Sequence, residues 1–253
     1  MQIKQIMIGI IPARYASTRF PGKLLADLNG KPVLQWTWEQ ACKVKSLDRV
    51  VIAAGDERIA DAARGFGADV VDVFKDYASG SDRIAEAVNK LEADGERFDI
   101  VVNIQGDEPL LNPDDVDIAV TRLQRYKDAG VATLAAPITD EDEYRDPSVV
   151  KLVADEGGRA LYFSRTPIPY LKDFETGLVF KHIGLYVYRR KVLANFTQWQ
   201  PCKIEEIERL EQLRLLYYGV KVAVVVVEAN GVGVDTEEDL ERVKEFINGR
   251  SND

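Results

Sequence analysis

The chain has 253 residues, of which 46% are hydrophobic and 30% are charged, which is typical of a globular protein with a full core. Its formal net charge of −9 argues against general binding to nucleic acid or anionic membranes, so a phosphate site must be a local concentration of cations. The single histidine and the two cysteines lack metal-ligand spacing, which argues against a zinc centre or a secreted disulfide framework. We expect a cytoplasmic protein, because the N-terminal apolar run is too short for a signal sequence and the run at 222–227 has the length of a strand.

The first predicted element is a buried strand over residues 6–11, which ends at Pro12. The loop that follows carries three cations, Arg14, Arg19 and Lys23. These cations repel one another unless an anion lies among them. A triphosphate fits, because Arg binds phosphate oxygens bidentately and Lys acts as a point charge. The alternative is a solvated basic loop, which composition alone favours.

Apolar strands and amphipathic helices then alternate along the chain. The tight-turn pair Asn29-Gly30 precedes a predicted helix over 32–45, and Asp56 is placed to cap a helix over 57–66. This alternation predicts an α/β fold with a parallel sheet and right-handed crossovers. The further strands of this pattern are predicted at residues 49–54, 68–73, 98–104, 131–137 and 221–227.

A loop of small residues at 75–83 leads into a predicted helix over 82–91. Ser79 and Asp82 have the spacing of a capping box. The exposed N–H groups at such a helix start can bind an anion or a carbonyl group. The alternative is an ordinary capped helix, which the sequence alone favours.

Two aspartates follow predicted strands. Asp107 comes after the strand over 98–104, and Asp235 comes after the strand over 221–227. Ligands of open α/β sheets bind beyond the carboxyl ends of strands, so both aspartates are candidate ligands of one Mg²⁺ ion. The alternative is that each is a turn or helix-capping residue, with Asp114 capping the helix after Asp107.

The segment of about 139–205 departs from the alternation, and we predict that it forms a subdomain. Two antiparallel strands are predicted within it at 148–155 and 159–164. The chain has no internal repeat and no Walker loop, and the stretch GVGVDT at 231–236 fails the dinucleotide-binding pattern.

A later strand and helix carry polar residues on defined faces. The strand over 179–189 places His182, Tyr186 and Tyr188 on one face by its period of two. A helix over 204–218 is predicted from its apolar spacing. Its surface also carries Glu208 and, three and four positions later, Glu211 and Gln212, which therefore lie on neighbouring parts of the helix. A solvated acidic face is the alternative interpretation of this group.

Five blocks of the sequence together resemble the 3-deoxy-manno-octulosonate (Kdo) cytidylyltransferase family. The blocks, in chain order, are IPARYASTRFPGK, SGSDR, QGDEP, ALYFSR with KHIGLY, and LEQLR with GVGVDT. They extend over residues 11–240. The resemblance implies a single α/β domain over 1–253, with a Rossmann-like nucleotidyltransferase (GT-A-like) fold. It implies a mixed, mainly parallel sheet and a small dimerisation subdomain at about 139–205.

The resemblance also implies an activity. The anomeric hydroxyl of Kdo attacks the α-phosphorus of CTP, giving CMP-Kdo and pyrophosphate for lipopolysaccharide biosynthesis. The implied cofactor is Mg²⁺, and the implied partners are CTP, the acidic sugar and a second copy of the chain. Little covalent help is needed from the protein, because positioning and charge screening carry such a transfer.

Roles for individual residues follow from the same resemblance. The implied nucleotide-binding residues are Arg14, Ser17 and Lys23 at the phosphates, Gly80, Ser81 and Arg83 at the cytosine, and Gln105. The implied catalytic residues are Arg14, Lys23, Asp107 and Asp235, and the two aspartates bind Mg²⁺. The implied sugar-binding residues are Arg19, Gln105, Arg165, His182, Tyr186, Glu208, Glu211 and Gln212.

The sequence departs from the family pattern at three places. The chain has Ala53-Ala54-Gly55 where relatives have Ala-Thr-Asp, Tyr77 where many have His, and Ser81 where they have Thr. The last change keeps the hydroxyl, whereas the first removes a carboxylate near the nucleotide. The identity of the sugar therefore stays open between Kdo, its 8-amino analogue and another acidic 2-keto-3-deoxy sugar. An inactive nucleotide-binding scaffold protein is the alternative from a different class.

Overall fold

The structure is a computed structural model that describes residues 4–17, 19–77, 79–177, 179–228 and 233–250. Its contacts divide the chain into two compact units. The first comprises the described residues up to 114 together with 233–250, and the second comprises 115–228. No helix among these residues is both long and apolar enough to cross a membrane.

The first unit begins with a strand and continues with alternating elements. Its strands are β1 (Met7–Ala13), β2 (Asp27–Leu28), β3 (Lys31–Pro32), β4 (Arg49–Ala54), β5 (Asp69–Asp72) and β6 (Ile100–Asn103). Its helices in this part of the chain are α1 (Val33–Ala41), α2 (Glu57–Gly65) and α3 (Gly80–Ala93), with a 3-10 turn at Lys23–Leu25.

The second unit follows in the chain. Its helices are α4 (Pro113–Arg125), in which the boundary between the units falls, α5 (Glu141–Arg145), α6 (Arg190–Phe196), α7 (Lys203–Glu208) and α8 (Leu213–Tyr217). Its strands are β7 (Val131–Pro137), β8 (Lys151–Ala154), β9 (Ala160–Ser164), β10 (Phe180–Arg189) and β11 (Val222–Val226). The last helix, α9 (Glu237–Arg250), belongs to the first unit.

The main sheet of the first unit is parallel, as the sequence predicts, and β2 and β3 form a separate antiparallel pair. β4 pairs with β1 and with β5, and β6 pairs with the other side of β1. Ile8, Ile10 and Ile11 on the central strand are fully buried. The predicted caps are also present, since the Asp56 carboxylate accepts from the Ile59 N–H at 3.2 Å. Four parallel strands thus direct their carboxyl ends to one edge, where polar loops follow.

The central strand is longer than expected, because it continues through Pro12 to Ala13. The Ala13 carbonyl faces β4, where it accepts from the Gly55 N–H at 2.7 Å. Pro12 therefore faces the other side, on which the pairing with β6 has already ended at Asn103. A proline is tolerated at such an edge because no N–H is needed there.

The second unit has a mixed sheet. β11 runs parallel to β7, whereas β10 is antiparallel to both β7 and β8. The predicted antiparallel pair is confirmed as β8 and β9. The predicted subdomain of about 139–205 lies within this unit, and its boundaries stay a prediction.

Two helix ends differ from the sequence prediction. α1 ends at Ala41, four residues earlier than expected. Asp114 does not cap α4; instead the Asn112 side chain accepts from the Asp114 N–H at 3.2 Å. An asparagine one position before Pro113 meets the same need for an acceptor, and the sequence pattern does not distinguish the two sites.

The prediction of a single helix over 204–218 is wrong, because the chain forms α7 and α8 with a break between them. Arg209 has a φ of 55°, a left-handed conformation that ends a helix. Ile207, which the apolar spacing places inward, is 69% exposed. Across the break, the buried Arg214 guanidinium binds the buried Glu205 carboxylate through two arms, one of them an Nε–Oε2 contact of 2.8 Å.

We expect Glu205→Ala to lower the free energy of unfolding by about 3–5 kcal/mol, because the substitution leaves the Arg214 charge buried without its partner. Glu206→Ala on the same helix is the matched control. Its ion pair with Lys203 is exposed, so we expect a loss of about 1 kcal/mol or less. Urea unfolding of both variants measures the difference, and equal losses would contradict the structural role of the buried pair.

Candidate nucleotide and metal site

The loop after β1 is held in shape from within the first unit. Gly22 has a φ of 73°, and a Cβ there would meet the Tyr15 ring at 3.0 Å. The Gly22 N–H donates to the Tyr15 carbonyl at 3.1 Å, and the Tyr15 N–H donates to the Asp56 carboxylate at 2.7 Å. The Arg58 guanidinium lies over the Tyr15 ring at 3.6 Å. These contacts fix the loop, and neither Tyr15 nor Arg58 is predicted from the sequence.

Lys23 stands at the end of this loop between two carboxylates. Its Nζ contacts Asp107 Oδ2 closely and lies 2.9 Å from Asp235 Oδ1. Arg19 also reaches Asp235 Oδ1, at 2.9 Å. Two aspartates far apart in the chain therefore converge on one cation. This is the juxtaposition that the sequence predicts from the strand ends, although residues 229–232 before Asp235 lie outside the described part of the chain.

The charged side chains around Lys23 shift one another's pKa values. Burial alone would lower the pKa of Lys23, but the charge and the hydrogen bond of Asp107, with those of Asp235, outweigh burial and raise it. Burial would raise the pKa of Asp235, but the Lys23 hydrogen bond and charge, with Arg19, lower it. Lys23 and Asp235 therefore stay charged near neutral pH.

Glu108 behaves differently from its neighbours. Burial, followed by the charges of Asp107 and Asp235, raises its pKa to about 7. No role for Glu108 follows from the sequence, because a glutamate in a turn carries no signal of its desolvation. Its environment shows how concentrated the negative charge is beside the two aspartates.

The two aspartates suit a divalent cation with phosphate ligands. Among the described residues, no group of three or more acidic, histidine or cysteine side chains is arranged to hold a metal. Mg²⁺ does not need such a group, because it is commonly held by one or two carboxylates together with substrate phosphates and water. Asp107 and Asp235 already direct oxygens to one cation, Lys23 Nζ, so their donor set fits this mode of binding.

A cavity of about 360 Å³ opens in the first unit beside this cluster. It brings together most of the predicted nucleotide residues. The predicted site residues that line it are Arg14, Ser17, Arg19, Lys23, Gly80, Arg83, Gln105, Asp107 and Asp235. Ser81 is buried, with 3% exposure, and is not among the described lining residues. The further lining residues include Ser79, which is predicted only as a helix cap, and Tyr77, which stands where many relatives have His.

The start of α3 forms one wall of the cavity. Ser79 caps the helix, as predicted, since its Oγ accepts from the Asp82 N–H at 3.2 Å. Arg83 on the same helix is buried, and its NH1 donates to the Val73 carbonyl at 2.6 Å. Burial and then the nearby Arg14 charge lower the pKa of Arg83. One arm of this guanidinium is thus held by the Val73 carbonyl, and Arg83 also lines the cavity.

The second unit contains six of the predicted sugar-binding residues. Glu208 accepts from the Ser164 hydroxyl at 2.8 Å and from the Arg165 N–H at 2.9 Å. The Arg165 guanidinium donates in turn to the Glu208 and Pro147 carbonyls, at 2.9 and 3.0 Å. Gln212 is buried. The alternative of a solvated acidic face is therefore wrong for Glu208 and Gln212.

His182 is fixed in a neutral form by its neighbours. Its Nε2 lies 2.9 Å from Thr133 Oγ1, and that hydroxyl has a second acceptor, the Leu185 carbonyl, at 2.7 Å. Thr133 has one hydrogen, which the shorter contact takes, so His182 donates through Nε2 and keeps Nδ1 as an acceptor. Burial lowers the pKa of His182 to about 3.

The aromatic face predicted on this strand is present. The rings of His182 and Tyr186 are 5.3 Å apart, and those of Tyr186 and Tyr188 are 5.8 Å apart. Burial, followed by Tyr188 and Glu211, raises the pKa of Tyr186 well above its ordinary value, so its hydroxyl keeps its proton. Arg19 and Gln105, the other two predicted sugar-binding residues, belong to the first unit.

Comparisons with known proteins agree with this chemistry. A family model described as Cytidylyltransferase matches residues 8–222. The 3-deoxy-manno-octulosonate cytidylyltransferase of Syntrophobacter fumaroxidans is 46% identical over 239 residues, which is 94% of this chain and 95% of that protein. The enzyme of the same name from Pseudomonas fluorescens Pf-5 is 46% identical over 248 residues, 94% of this chain and 96% of its own.

A solved structure is similar over nearly the whole chain. It is that of CMP:2-keto-3-deoxy-manno-octonic acid synthetase complexed with CTP, with a TM-score of 0.91 and 39% identity, covering 97% of this chain and 99% of the other. Identity at this level over this length establishes membership. The chain belongs to the 3-deoxy-manno-octulosonate cytidylyltransferase family.

Proposed function

We propose that this protein transfers the cytidylyl group of CTP to Kdo, producing CMP-Kdo and pyrophosphate for lipopolysaccharide biosynthesis. The observation that carries the proposal is the convergence of Lys23, Asp107 and Asp235 beneath a cationic loop, in a cavity that Arg83 also lines. Membership of the family supports the choice of CTP and of Kdo as substrates.

The triphosphate is assigned to the cationic loop. Arg14 and Ser17 line the cavity with Lys23, whose ammonium is now shared by two carboxylates. Asp107 and Asp235 would hold Mg²⁺, and Lys23 would then be free to contact phosphate oxygens. When bound, the metal screens the phosphate charge and lowers the pKa of the attacking hydroxyl.

The base is assigned to the start of α3. Gly80 offers backbone at the helix start, and the buried Arg83 offers donors that only an acceptor-rich group can satisfy. Gln105 lines the same cavity and is assigned to both nucleotide and sugar. Ser81, being buried, is assigned a supporting position in this wall.

We assign the sugar to the residues for which the family resemblance implies sugar binding. Arg19, 66% exposed at its side chain, is a cation available to the sugar carboxylate. In the second unit, the Nδ1 acceptor of His182 and the protonated hydroxyl of Tyr186 suit sugar hydroxyls. Arg165, Glu208, Glu211 and Gln212 complete the proposed set.

In the reaction, the anomeric hydroxyl of Kdo releases its proton to solvent, and its oxygen forms a bond to the α-phosphorus of CTP. The bond from that phosphorus to the bridging oxygen breaks, and pyrophosphate leaves with the electron pair. Lys23 and Arg14 would stabilise the charge that develops on the leaving group. We place the reaction in the cytoplasm, where CTP is made, and propose a homodimer.

Two other functions compete with this one. A cytidylyltransferase for 8-amino-Kdo or another acidic 2-keto-3-deoxy sugar uses the same nucleotide site. An inactive scaffold protein binds CTP without turnover. Pyrophosphate release from CTP, measured with Kdo, 8-amino-Kdo and sialic acid, separates all three. Fastest release with Kdo supports the proposal, and bound CTP without release from any sugar contradicts it.

We expect Lys23→Ala to lower kcat/KM for CTP by roughly tenfold or more, because a charge-assisted phosphate contact contributes about 1.5–3 kcal/mol. Lys43→Ala removes the same charge from an exposed position in the first unit and should change little. Steady-state kinetics with varied CTP measures both variants. Unchanged kcat/KM in Lys23→Ala would exclude its assignment to the phosphates.

We expect Asp107→Asn and Asp235→Asn each to lower kcat by on the order of 100-fold, because each removes a charge that the transition state requires. Asn keeps the shape, so thermal unfolding should change little. Asp114→Asn, at an exposed surface pair with Lys45, is the control and should retain activity. Near-normal activity in either site variant would contradict a shared metal site.

We expect His182→Asn mainly to raise KM for the sugar. The pKa of about 3 leaves His182 neutral above about pH 5, so it contributes no titration limb near its ordinary pKa. The pH dependence of kcat in wild type and variant tests this. Loss in the variant of an acidic limb, where the wild-type rate rises with pH, would instead identify His182 as a general base.

A further inference from the structure

We propose that Gly55 is a positioning residue for the base, acting through Arg83. Gly55 lies directly after β4, and its missing side chain leaves the space that the Arg83 guanidinium occupies. The inference rests on the proposed function, because it concerns how the nucleotide base is read.

The contact between the two residues is close. A Cβ built on Gly55 would lie 2.5 Å from Arg83 NH1 and 2.8 Å from Arg83 Cζ. The same NH1 donates to the Val73 carbonyl at 2.6 Å, so the guanidinium is held against the strand ends of β4 and β5. Any side chain at position 55 would therefore compete with the observed position of this group.

The glycine is not required by the backbone. The φ of Gly55 lies outside the left-handed region, so alanine can adopt this conformation without strain. Its N–H donates to the Ala13 carbonyl at 2.7 Å, and alanine keeps that donor. The effect of Gly55→Ala should therefore come from the new methyl group alone.

The guanidinium is the group that would yield. It is the far end of a flexible side chain, whereas the other near atom, the Ala13 carbonyl oxygen at 3.0 Å, belongs to the central strand. Arg83 would lose its hydrogen bond to Val73 and move into the cavity that it lines. The fold would be retained, and the ligand would meet a displaced set of donors.

Displacement of the Arg83 guanidinium would change the contacts to the base and leave the contacts to the phosphates as they are. A guanidinium carries only donors, so it matches the neighbouring O2 and N3 acceptors of cytosine and opposes the N3–H of uracil. Lys23, which ends the cationic loop, is held by Asp107 and Asp235 and not by Arg83. Gly55 therefore determines the affinity for CTP through the base and leaves the triphosphate contacts unchanged.

The test is calorimetric titration of the full chain with CTP and, separately, with inorganic tripolyphosphate, both with Mg²⁺. We expect Gly55→Ala to weaken CTP binding roughly tenfold, the effect of about one displaced charge-assisted hydrogen bond, and to leave tripolyphosphate binding unchanged. Gly65→Ala is the matched control, because a Cβ at Gly65 meets nothing within 4 Å. It should bind both ligands as the wild type does.

A second background shows whether Gly55 acts through Arg83. In Arg83→Met, which keeps the side-chain stem and removes the donors, adding Gly55→Ala should change CTP affinity less than twofold. Full weakening in that background, or equal loss of CTP and tripolyphosphate binding, would overturn the inference and mark Gly55 as a structural residue. Wild-type protein that binds tripolyphosphate but not CTP would overturn the proposed function instead.

Discussion

The candidate site depends on one shared cation. Lys23 Nζ contacts the carboxylates of Asp107 and Asp235, which belong to different turns of the first unit. Without it, two carboxylates beside the half-buried Glu108 would repel each other in a partly dry environment. With Lys23 present, both carboxylates are held in place and directed to one point, which is the geometry that a divalent cation would need. The loop after β1, the residues that follow β6 and the start of α3 line one cavity with these three charged side chains.

This arrangement explains how an acidic protein can bind a triphosphate. The net charge of −9 repels anions at long range. Within the cavity, however, Arg14, Arg19, Lys23 and Arg83 face only two aspartates among the predicted site residues that line it. A divalent cation held by these aspartates would free Lys23 and add positive charge at the same time. Nucleotide binding and metal binding should therefore strengthen each other.

Much of the fold could be predicted because its signals are local. Alternating strands and helices, the Asp56 and Ser79 caps, and the Asn29-Gly30 turn each depend on neighbouring residues. The convergence of Asp107 and Asp235 could also be predicted, from the rule that parallel strands end at one edge. The break at Arg209 could not, because the apolar helical spacing continues through it and the buried ion pair that spans it joins residues nine positions apart. Tyr15, Glu108 and the close approach of Gly55 to Arg83 were equally invisible, because burial and contact between distant residues leave no periodic pattern.

The most direct test of this account is the dependence of CTP affinity on Mg²⁺ in the wild-type protein, measured by calorimetric titration with the metal or with a chelator present. If Asp107 and Asp235 exchange Lys23 for a metal ion, CTP should bind at least roughly tenfold more tightly with Mg²⁺, a difference of about 1.4 kcal/mol. The metal alone should bind weakly, because the ammonium already neutralises the carboxylates. Equal CTP affinity in both conditions would show that the carboxylates do not hold a metal for the nucleotide, and would contradict the account.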